Sequence, residues 1–256
     1  MVFKELYKYR ELLKSNTKKE IRGRYKQSFL GVLWSFLNPL LQLLVYSIVF
    51  GALLAGGDDT YYIYVCVGLI PWTFFTTTVT AGTLSVIIND NIVKKVYFPR
   101  EILPISSVIS GAINFLISTI IILAFVLISG IGFTKFILLY PVILLIQCIL
   151  LLGISFILSA ITIYIRDLEH IISVFLMAAF YITPIVYKLD QMPENLRIIM
   201  KLNPMTHIIN AYRDIFYYQQ MPNMQNLGIL FVISIILMIV GYFIFKKLQK
   251  GFAEEL

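Results

Sequence analysis

ILPISSVISGAINFLISTIIILAFVLISGIGFT, residues 102–134, contains no Asp, Glu, Lys or Arg. A helix needs roughly 20 apolar residues to cross about 30 Å of hydrocarbon, and this stretch exceeds that length. Five further runs without these charged residues lie on either side of it: Gln27 to Gly57, Thr60 to Asn89, Phe136 to Ile165, His170 to Tyr187 and Ile215 to Phe245. We therefore expect an all-α integral membrane protein with six transmembrane helices.

Two of the runs need closer placement. The run from His170 to Tyr187 is close to the shortest length that spans a bilayer. The last run opens with polar residues, so we place its span at Leu227 to Phe245. Pro39 and Pro71 lie inside the first two spans, where a missing N–H donor predicts a kinked or locally broken helix.

Composition and charge agree with a membrane location. Hydrophobic residues make up 59% of the chain, whereas soluble domains are about half apolar. The formal net charge is +7, and most basic residues precede the first span or follow the second, fourth and sixth spans. Basic loops remain in the cytoplasm, so both termini are predicted to be cytoplasmic. Because orientation explains the charge, the sequence indicates no nucleic-acid partner.

We expect one transmembrane domain over residues 1–256, with three segments outside the spans. Residues 1–28 form a cytoplasmic segment, and residues 2–14 have the pattern of a helix lying in the membrane interface. A solvated basic tail is the alternative. Residues 89–104 form a cytoplasmic loop, and residues 188–226 form an external region.

The external region is too long for a turn and has no run of spanning length. Proline and asparagine supply helix starts within it, so we predict two short re-entrant or interfacial helices before the last span. These are Glu194 to Leu202 and Pro204 to Tyr217. An exposed loop is the alternative.

The charged segment NDNIVKKVYFPREILP, residues 89–104, interrupts two long apolar runs. We interpret it as a handle that a cytoplasmic partner holds. No G-x-x-x-x-G-K-[ST] phosphate loop is present, so the chain is not expected to be an enzyme and ATP hydrolysis must occur on another subunit. Ionisable residues are nearly absent from the spans, which disfavours ion coupling. The two histidines have no partners at metal-ligand spacing, so we expect no metal or cofactor in this chain.

Aromatic residues are abundant, with 16 Tyr and 19 Phe. Most are expected in the interfacial belts of a membrane protein. Aromatic rings also suit the apolar faces of sugars, so a subset that faces a channel would guide a glycan. The channel candidates are Tyr46, Phe74, Phe175, Phe180, Tyr181 and Tyr187.

Five motifs in order resemble the ABC-2-type permeases that export polysaccharides or polyol phosphates, including O-antigen, capsule and teichoic-acid transporters. The motifs are RGRYKQSFLGVLWSFLNP at 22–39, YFPREILP at 97–104, YIRDL at 164–168, TPIVY at 183–187 and NPMTHIINAYRD at 203–214. They extend over most of the chain.

The resemblance implies the transmembrane subunit of an ATP-driven exporter that moves a lipid-linked glycan across a bacterial-type inner membrane. It implies a homodimer with two separate ATPase subunits, which hold ATP and Mg. It also implies that the N-terminal interfacial helix shapes a lateral opening among membrane lipids and that the short helices before the last span form an external gate. An ABC-2 permease for a drug or lipid is the alternative, and an ion-coupled secondary transporter or membrane-embedded enzyme is more remote.

The resemblance suggests roles for particular residues. Asp90 caps a short coupling helix that Pro99 ends, and Ile92, Val93 and Val96 face a groove in the ATPase. The ATPase-coupling candidates are Asp90, Ile92, Val93, Lys94, Lys95, Val96, Tyr97, Pro99, Arg100 and Glu101. The headgroup or lateral-opening candidates are Arg22, Arg24, Tyr25, Lys26 and Trp34, with anionic lipid binding as the alternative. The gate candidates are Asn203, Pro204, Tyr212 and Arg213, with interfacial anchoring as the alternative.

Overall fold

The computed structural model describes residues 7–25, 29–54 and 59–255, and within these ranges it contains helices and no strand. The all-α prediction is confirmed. The helices in chain order are α1 (Arg10–Tyr25), α2 (Trp34–Leu54), α3 (Tyr61–Leu84), α4 (Asp90–Lys95), α5 (Ile102–Ile128), α6 (Tyr140–Tyr164), α7 (Leu168–Ile182), α8 (Glu194–Leu202), α9 (Pro204–Phe216), α10 (Met224–Leu248) and α11 (Phe252–Glu255).

Five of the described helices, α2, α3, α5, α6 and α10, are long and apolar enough to cross a membrane. Helix α7 is apolar but has 15 residues. At 1.5 Å per residue it reaches about 22 Å, short of the hydrocarbon thickness of about 30 Å. The prediction of six transmembrane helices therefore stays a prediction, and the fifth span is the one in question.

Helix α3 lies at the centre of the bundle. It packs against α2, α5, α6, α7 and α9. Of the residues in its apolar stretch, 78% are buried inside the protein, against 22% for the last spanning helix, α10. The outer faces of α2, α5, α7 and α10 expose rows of large apolar side chains. Such faces suit contact with lipid or with another membrane-embedded chain.

Helices α6 and α10 approach closely along their length, and two glycines explain how. The backbone of α10 at Leu237 and Met238 passes so near Gly153 that a Cβ there would lie 2.7 Å from the Met238 nitrogen. On α10, a Cβ at Gly241 would lie 2.5 Å from the Gly153 carbonyl oxygen. Small residues at these crossing points let the two backbones touch.

Helices α2 and α3 continue through Pro39 and Pro71, so neither helix is broken there, and the kink predicted as the other outcome stays a prediction. Pro39 cannot donate to the carbonyl of Ser35, and the Ser118 hydroxyl of α5 donates to that oxygen at 3.3 Å. A neighbouring helix therefore satisfies the acceptor that the proline leaves open.

The N-terminal helix differs from the prediction over residues 2–14. Residues 1–6 lie outside the described part, and α1 extends to Tyr25 through the basic stretch. The polar side of α1 packs against α5. Asn16 donates to the Ser106 hydroxyl at 2.6 Å, and the Ser107 hydroxyl donates to Glu20 at 3.0 Å. These bonds join α1 to the first turns of α5.

The two short helices before the last span are confirmed, with α9 ending at Phe216. The Asn203 side chain accepts a hydrogen bond from the Met205 N–H at 3.0 Å and so caps α9. Helix α9 packs inside the bundle against α3, α6 and α10. An exposed loop is therefore excluded for this segment.

Candidate functional site

The handle, residues 89–104, is anchored firmly to the rest of the chain. The Glu101 carboxylate is buried and pairs with Lys246 of α10 at 2.5 Å. Arg100 donates to the carbonyl of Gln249 and lies over the Phe252 ring. These contacts fasten the handle to the end of α10 and to the residues that follow it.

A small apolar core lies beneath the handle. Val93, Phe98 and Ile102 are buried there together with Phe156 of α6 and Phe245 of α10. The core is separate from the larger one that fills the membrane-spanning bundle. The base of the handle is therefore packed against two long helices, α6 and α10.

The tip of the handle is exposed. Tyr97 exposes 96% of its surface and Val96 exposes 55%. Lys94 and Lys95 are also exposed, and Lys94 pairs loosely with Asp90 at 4.0 Å. An exposed aromatic ring is typical of a surface that binds another protein, and charged residues such as the two lysines fit the polar rim of such a surface.

A cavity of about 410 Å³ opens beside the tip. Its walls come from the handle, from the two residues before α1 and from the end of α10 with the residues that follow it. Basic side chains line it, namely Lys8, Arg100, Lys246 and Lys250. The cavity therefore presents a positive rim next to the exposed Tyr97 ring.

Four details of the predicted coupling set need correction. Asn89 occupies the N-cap of α4 and Asp90 is its first residue. The helix ends at Lys95, ahead of Pro99. Val93 is 3% exposed and belongs to the core beneath the handle, so it cannot contact a partner. Glu101 is likewise committed to Lys246 inside the protein.

Helix α1 contacts the handle directly. Lys19 donates to the Asn89 side-chain oxygen at 2.9 Å, and the Asn89 amide donates to the Ser85 carbonyl at 2.8 Å. The N-terminal helix, the end of α3 and the start of the handle are thus joined by one chain of hydrogen bonds. The sequence carried no local signal of this link, because Lys19 and Asn89 are 70 positions apart.

The structure does not bring the headgroup candidates together. Arg22 lines an apolar groove of about 470 Å³ between α1 and α5, whose walls include Ile109 and Ile113. Trp34 lines a different cavity, of about 220 Å³, with polar residues of α2, α3 and α5. The side chains of Arg24 and Tyr25, and Lys26 as a whole, lie outside the described part.

Three of the channel candidates form one aromatic cluster. The Tyr46 ring stacks on Phe180 at 5.2 Å between centroids, and Tyr181 meets Phe180 edge-on at 5.4 Å. Trp72 of α3 contacts the same Phe180 ring at 6.1 Å. They border a cavity of about 240 Å³ between α2, α3 and α7. Sequence reasoning left Trp72 out, although its position in mid-span, away from the interfacial belts, was the available signal.

The other channel candidates are placed differently. Phe74 is buried and stacks on Phe115 at 4.9 Å. Tyr187 is also buried, and its hydroxyl donates to the Tyr181 carbonyl at 2.6 Å. Phe175 is exposed on α7, apart from the cluster. We therefore withdraw Phe74 and Tyr187 from the channel set.

Arg213 is fully buried and has no carboxylate among the hydrogen-bond partners found for it in the described ranges. Its guanidinium donates to the carbonyls of Pro184 and Ile185 at 2.6 Å and lies 3.6 Å from the centre of the Tyr64 ring. It thereby joins α9 to α3 and to the non-helical segment after α7, residues 183–188. Carbonyl dipoles and an aromatic face stabilise the buried charge.

The remaining gate candidates also serve the interior. Tyr212 is completely buried and its hydroxyl donates to Gln147 of α6 at 3.2 Å. The Asn203 amide donates to the Thr183 hydroxyl at 2.8 Å, and Pro204 is the first residue of α9. Interfacial anchoring does not fit Tyr212 or Arg213, because neither reaches the surface of the chain.

A second polar region lies at the end of the bundle opposite the handle. Asp214 follows Arg213 and accepts from the Gln220 amide at 2.7 Å. Partial burial raises the pKa of the Asp214 carboxyl, and the hydrogen bond from Gln220 opposes that effect. Asp214 lines a cavity with polar residues of α9 and α10.

Comparisons with known proteins agree with the motifs. Residues 11–217 match the ABC-2 type transporter family. The chain is 36% identical to the O-antigen export system permease protein RfbA of Myxococcus xanthus over 99% of this chain and 98% of that protein. It is also 36% identical to RfbA of Klebsiella pneumoniae, over 96% of this chain. The polysialic acid transport protein KpsM of Escherichia coli is 20% identical over 91% of this chain.

Proposed function

Because this chain belongs to the ABC-2 type transporter family, and is the membrane subunit of a polysaccharide exporter whose ATPase is a separate subunit, we propose that it exports a lipid-linked, O-antigen-type glycan. Export runs from the cytoplasmic leaflet across the inner membrane, with both termini in the cytoplasm. The observation that carries the proposal is 36% identity to O-antigen permeases over nearly the whole chain.

In this proposal the handle is the site of ATPase docking. The exposed ring of Tyr97 and the lysines beside it contact the ATPase, and the positive rim of the adjacent cavity attracts acidic side chains of that partner. Electrostatic complementarity of this kind favours the correct partner and speeds association. The ion pair between Glu101 and Lys246 carries movement of the handle to α10.

The proposed assembly contains two copies of this chain and two ATPase subunits. The exposed apolar faces of α2 and α7 support pairing of two copies, since α7 buries only Leu176 among its residues. A second copy placed against α7 would cover a helix too short to span the bilayer by itself. The aromatic cluster of Tyr46, Trp72, Phe180 and Tyr181 would then border the glycan path.

We also propose that the groove beside Arg22 receives the lipid carrier. Its walls are almost wholly apolar, and Lys14, Lys18 and Arg22 follow its edge at four-residue spacing. An acyl or isoprenoid chain fits the walls, and a phosphate headgroup fits the basic edge. ATP and Mg act on the partner subunit in this scheme.

The docking proposal is tested by reversing the charge of the handle tip. We expect Lys94→Glu with Lys95→Glu to weaken copurification of the ATPase about tenfold, which corresponds to about 1.4 kcal/mol, and to stop glycan export. Lys247→Glu is the matched control, since Lys247 is an exposed lysine at the same end of the bundle and lies outside the handle. Unchanged copurification and export in the double variant, at normal membrane abundance, would reject the docking proposal.

A further inference from the structure

The end of the bundle opposite the handle contains a polar cavity of about 320 Å³. It lies between α9, the start of α10 and residues 188–190. The cavity meets α10 at Asn226 and the handle meets it at Lys246, so about 30 Å of helix, at 1.5 Å per residue, separates the two. A volume of this size is within the range of roughly 300–1,000 Å³ in which small molecules bind.

Polar side chains of both hydrogen-bonding types line the cavity. Asp190 and Asp214 supply carboxylates, while Asn210 and Asn226 supply amides that both donate and accept. Within the described ranges, the Asp190 carboxylate and the amides of Asn210 and Asn226 have no hydrogen-bond partner in the protein. The cavity therefore keeps hydrogen-bonding capacity that the fold does not use.

The same lining decides which class of ligand fits. Lys188 and His207 also line the cavity, but the two carboxylates outnumber the one lysine, so a free anion is disfavoured. An apolar ligand would leave the amides unpaired. Within the described residues, no group of three His, Cys, Asp or Glu residues is placed to hold a metal ion. A neutral ligand with many hydroxyl groups fits, because each hydroxyl donates to a carboxylate or exchanges hydrogen bonds with an amide.

Aromatic and apolar surface completes the site. Tyr218 is 47% exposed and lines the cavity together with Tyr64 and the buried Leu227. An aromatic ring with a polar edge suits the apolar face of a sugar ring. Carboxylates, amides and a partly exposed tyrosine thus meet in one pocket.

We propose that this cavity binds a glycosyl unit of the exported polymer on the external side of the membrane, after it has crossed. The inference rests on the proposed function and its orientation. Asp190, Asn210, Asp214 and Asn226 hold the sugar hydroxyls, and Tyr218 supports the ring. Arg213 donates to the carbonyl of Ile185, and the segment that contains Ile185 continues to Lys188 at the edge of the cavity. A sugar bound in the cavity therefore lies next to the segment that Arg213 holds.

The test measures binding of oligosaccharides released by mild acid from the host's own lipid-linked glycan. The protein is the complex of permease and ATPase in lipid nanodiscs, and saturation-transfer NMR reports binding. We expect Asn210→Leu with Asn226→Leu to weaken binding at least tenfold. If the double variant folds poorly, Asn226→Leu alone serves as the test, because Asn226 is exposed in the first turn of α10. We expect an intermediate loss of binding from this single variant. Gln225→Leu is the matched control, because Gln225 is exposed beside Asn226 and does not line the cavity.

Two results overturn the inference: no binding by the unaltered complex, or equal binding by all the variants. Failure of the proposed function is recognised separately by depleting the permease and measuring glycan at the cell surface. Unchanged surface glycan after depletion rejects the proposed function. If surface glycan disappears on depletion while the cavity variants still bind normally, only the cavity inference is wrong.

Discussion

At the scale of single residues, Arg213 shows how a buried charge organises this fold. Its guanidinium stabilises the non-helical segment after α7, in which the carbonyls of Pro184 and Ile185 have no helical partners. A buried carbonyl without a donor costs roughly 1–3 kcal/mol, so the arginine offsets that cost at two positions. Gly68 of α3 leaves the room that the guanidinium occupies.

We expect Gly68→Ala to destabilise the protein by about 1–3 kcal/mol. The new Cβ would lie 2.7 Å from a terminal nitrogen of Arg213 and 3.3 Å from the Ile185 oxygen. Because that nitrogen is held by hydrogen bonds, it cannot move without losing them. Thermal unfolding of the purified protein in detergent measures the effect. Gly51→Ala is the control, since its Cβ would make only an ordinary contact of 3.8 Å with Tyr61. Equal unfolding temperatures for the two variants would contradict the packing argument.

At the scale of elements, α6 and α10 make the most extensive helix–helix contact in the described part of the chain. The base of the handle packs against both of these helices. Phe156 and Phe245 come from these two helices and join the core under the handle. The glycine contacts described above let the two backbones pack closely near the middle of α6. Movement of one helix must therefore be accompanied by the other.

Gly153→Ala is expected to separate α6 from α10 and to cost about 1–3 kcal/mol, because its Cβ would meet backbone atoms that cannot rotate away. Export should fall together with the unfolding temperature. Gly228→Ala, in open space on α10, should leave stability equal or slightly higher, since alanine favours helix. A Gly153→Ala protein as stable as the Gly228→Ala protein would show that the two helices are not tightly packed.

At the scale of the whole molecule, the handle and the polar cavity lie at opposite ends of the bundle. Basic residues surround the handle, whereas the cavity carries two carboxylates and several amides. This asymmetry matches the preference of basic segments for the cytoplasm. In the proposed assembly the ATPase lies at the membrane face with the handle, and the released glycan lies at the opposite face.

Orientation is tested by single cysteines in a variant with Cys66→Ala and Cys148→Ala. Lys201→Cys, on the exposed face of α8, should react with a membrane-impermeant maleimide in intact spheroplasts. Arg166→Cys, exposed in the turn before α7, should react only after the membrane is permeabilised. The opposite pattern would reverse the predicted orientation.

Much of this architecture follows from local sequence. The apolar runs located five long helices, and Asn203 with Pro204 located the start of α9 to the residue, because capping and hydropathy depend on near neighbours. The aromatic cluster was found in part: Tyr46, Phe180 and Tyr181 were included, and Trp72 was missed. The extent of α1 was also missed, because its polar side is satisfied by serines of α5 about 90 positions away.

The sequence by itself determined that the chain is helical, that it belongs in a membrane, and that residues 89–104 are a charged interruption between spans. Only the tertiary structure decided which polar residues of these segments point outward. Tyr97 is free for a partner, whereas Glu101 is committed to Lys246 and Arg213 to carbonyls near Pro184. The physical reason is distance along the chain. A charge is buried or exposed according to partners that folding brings from far away, and no local pattern records them.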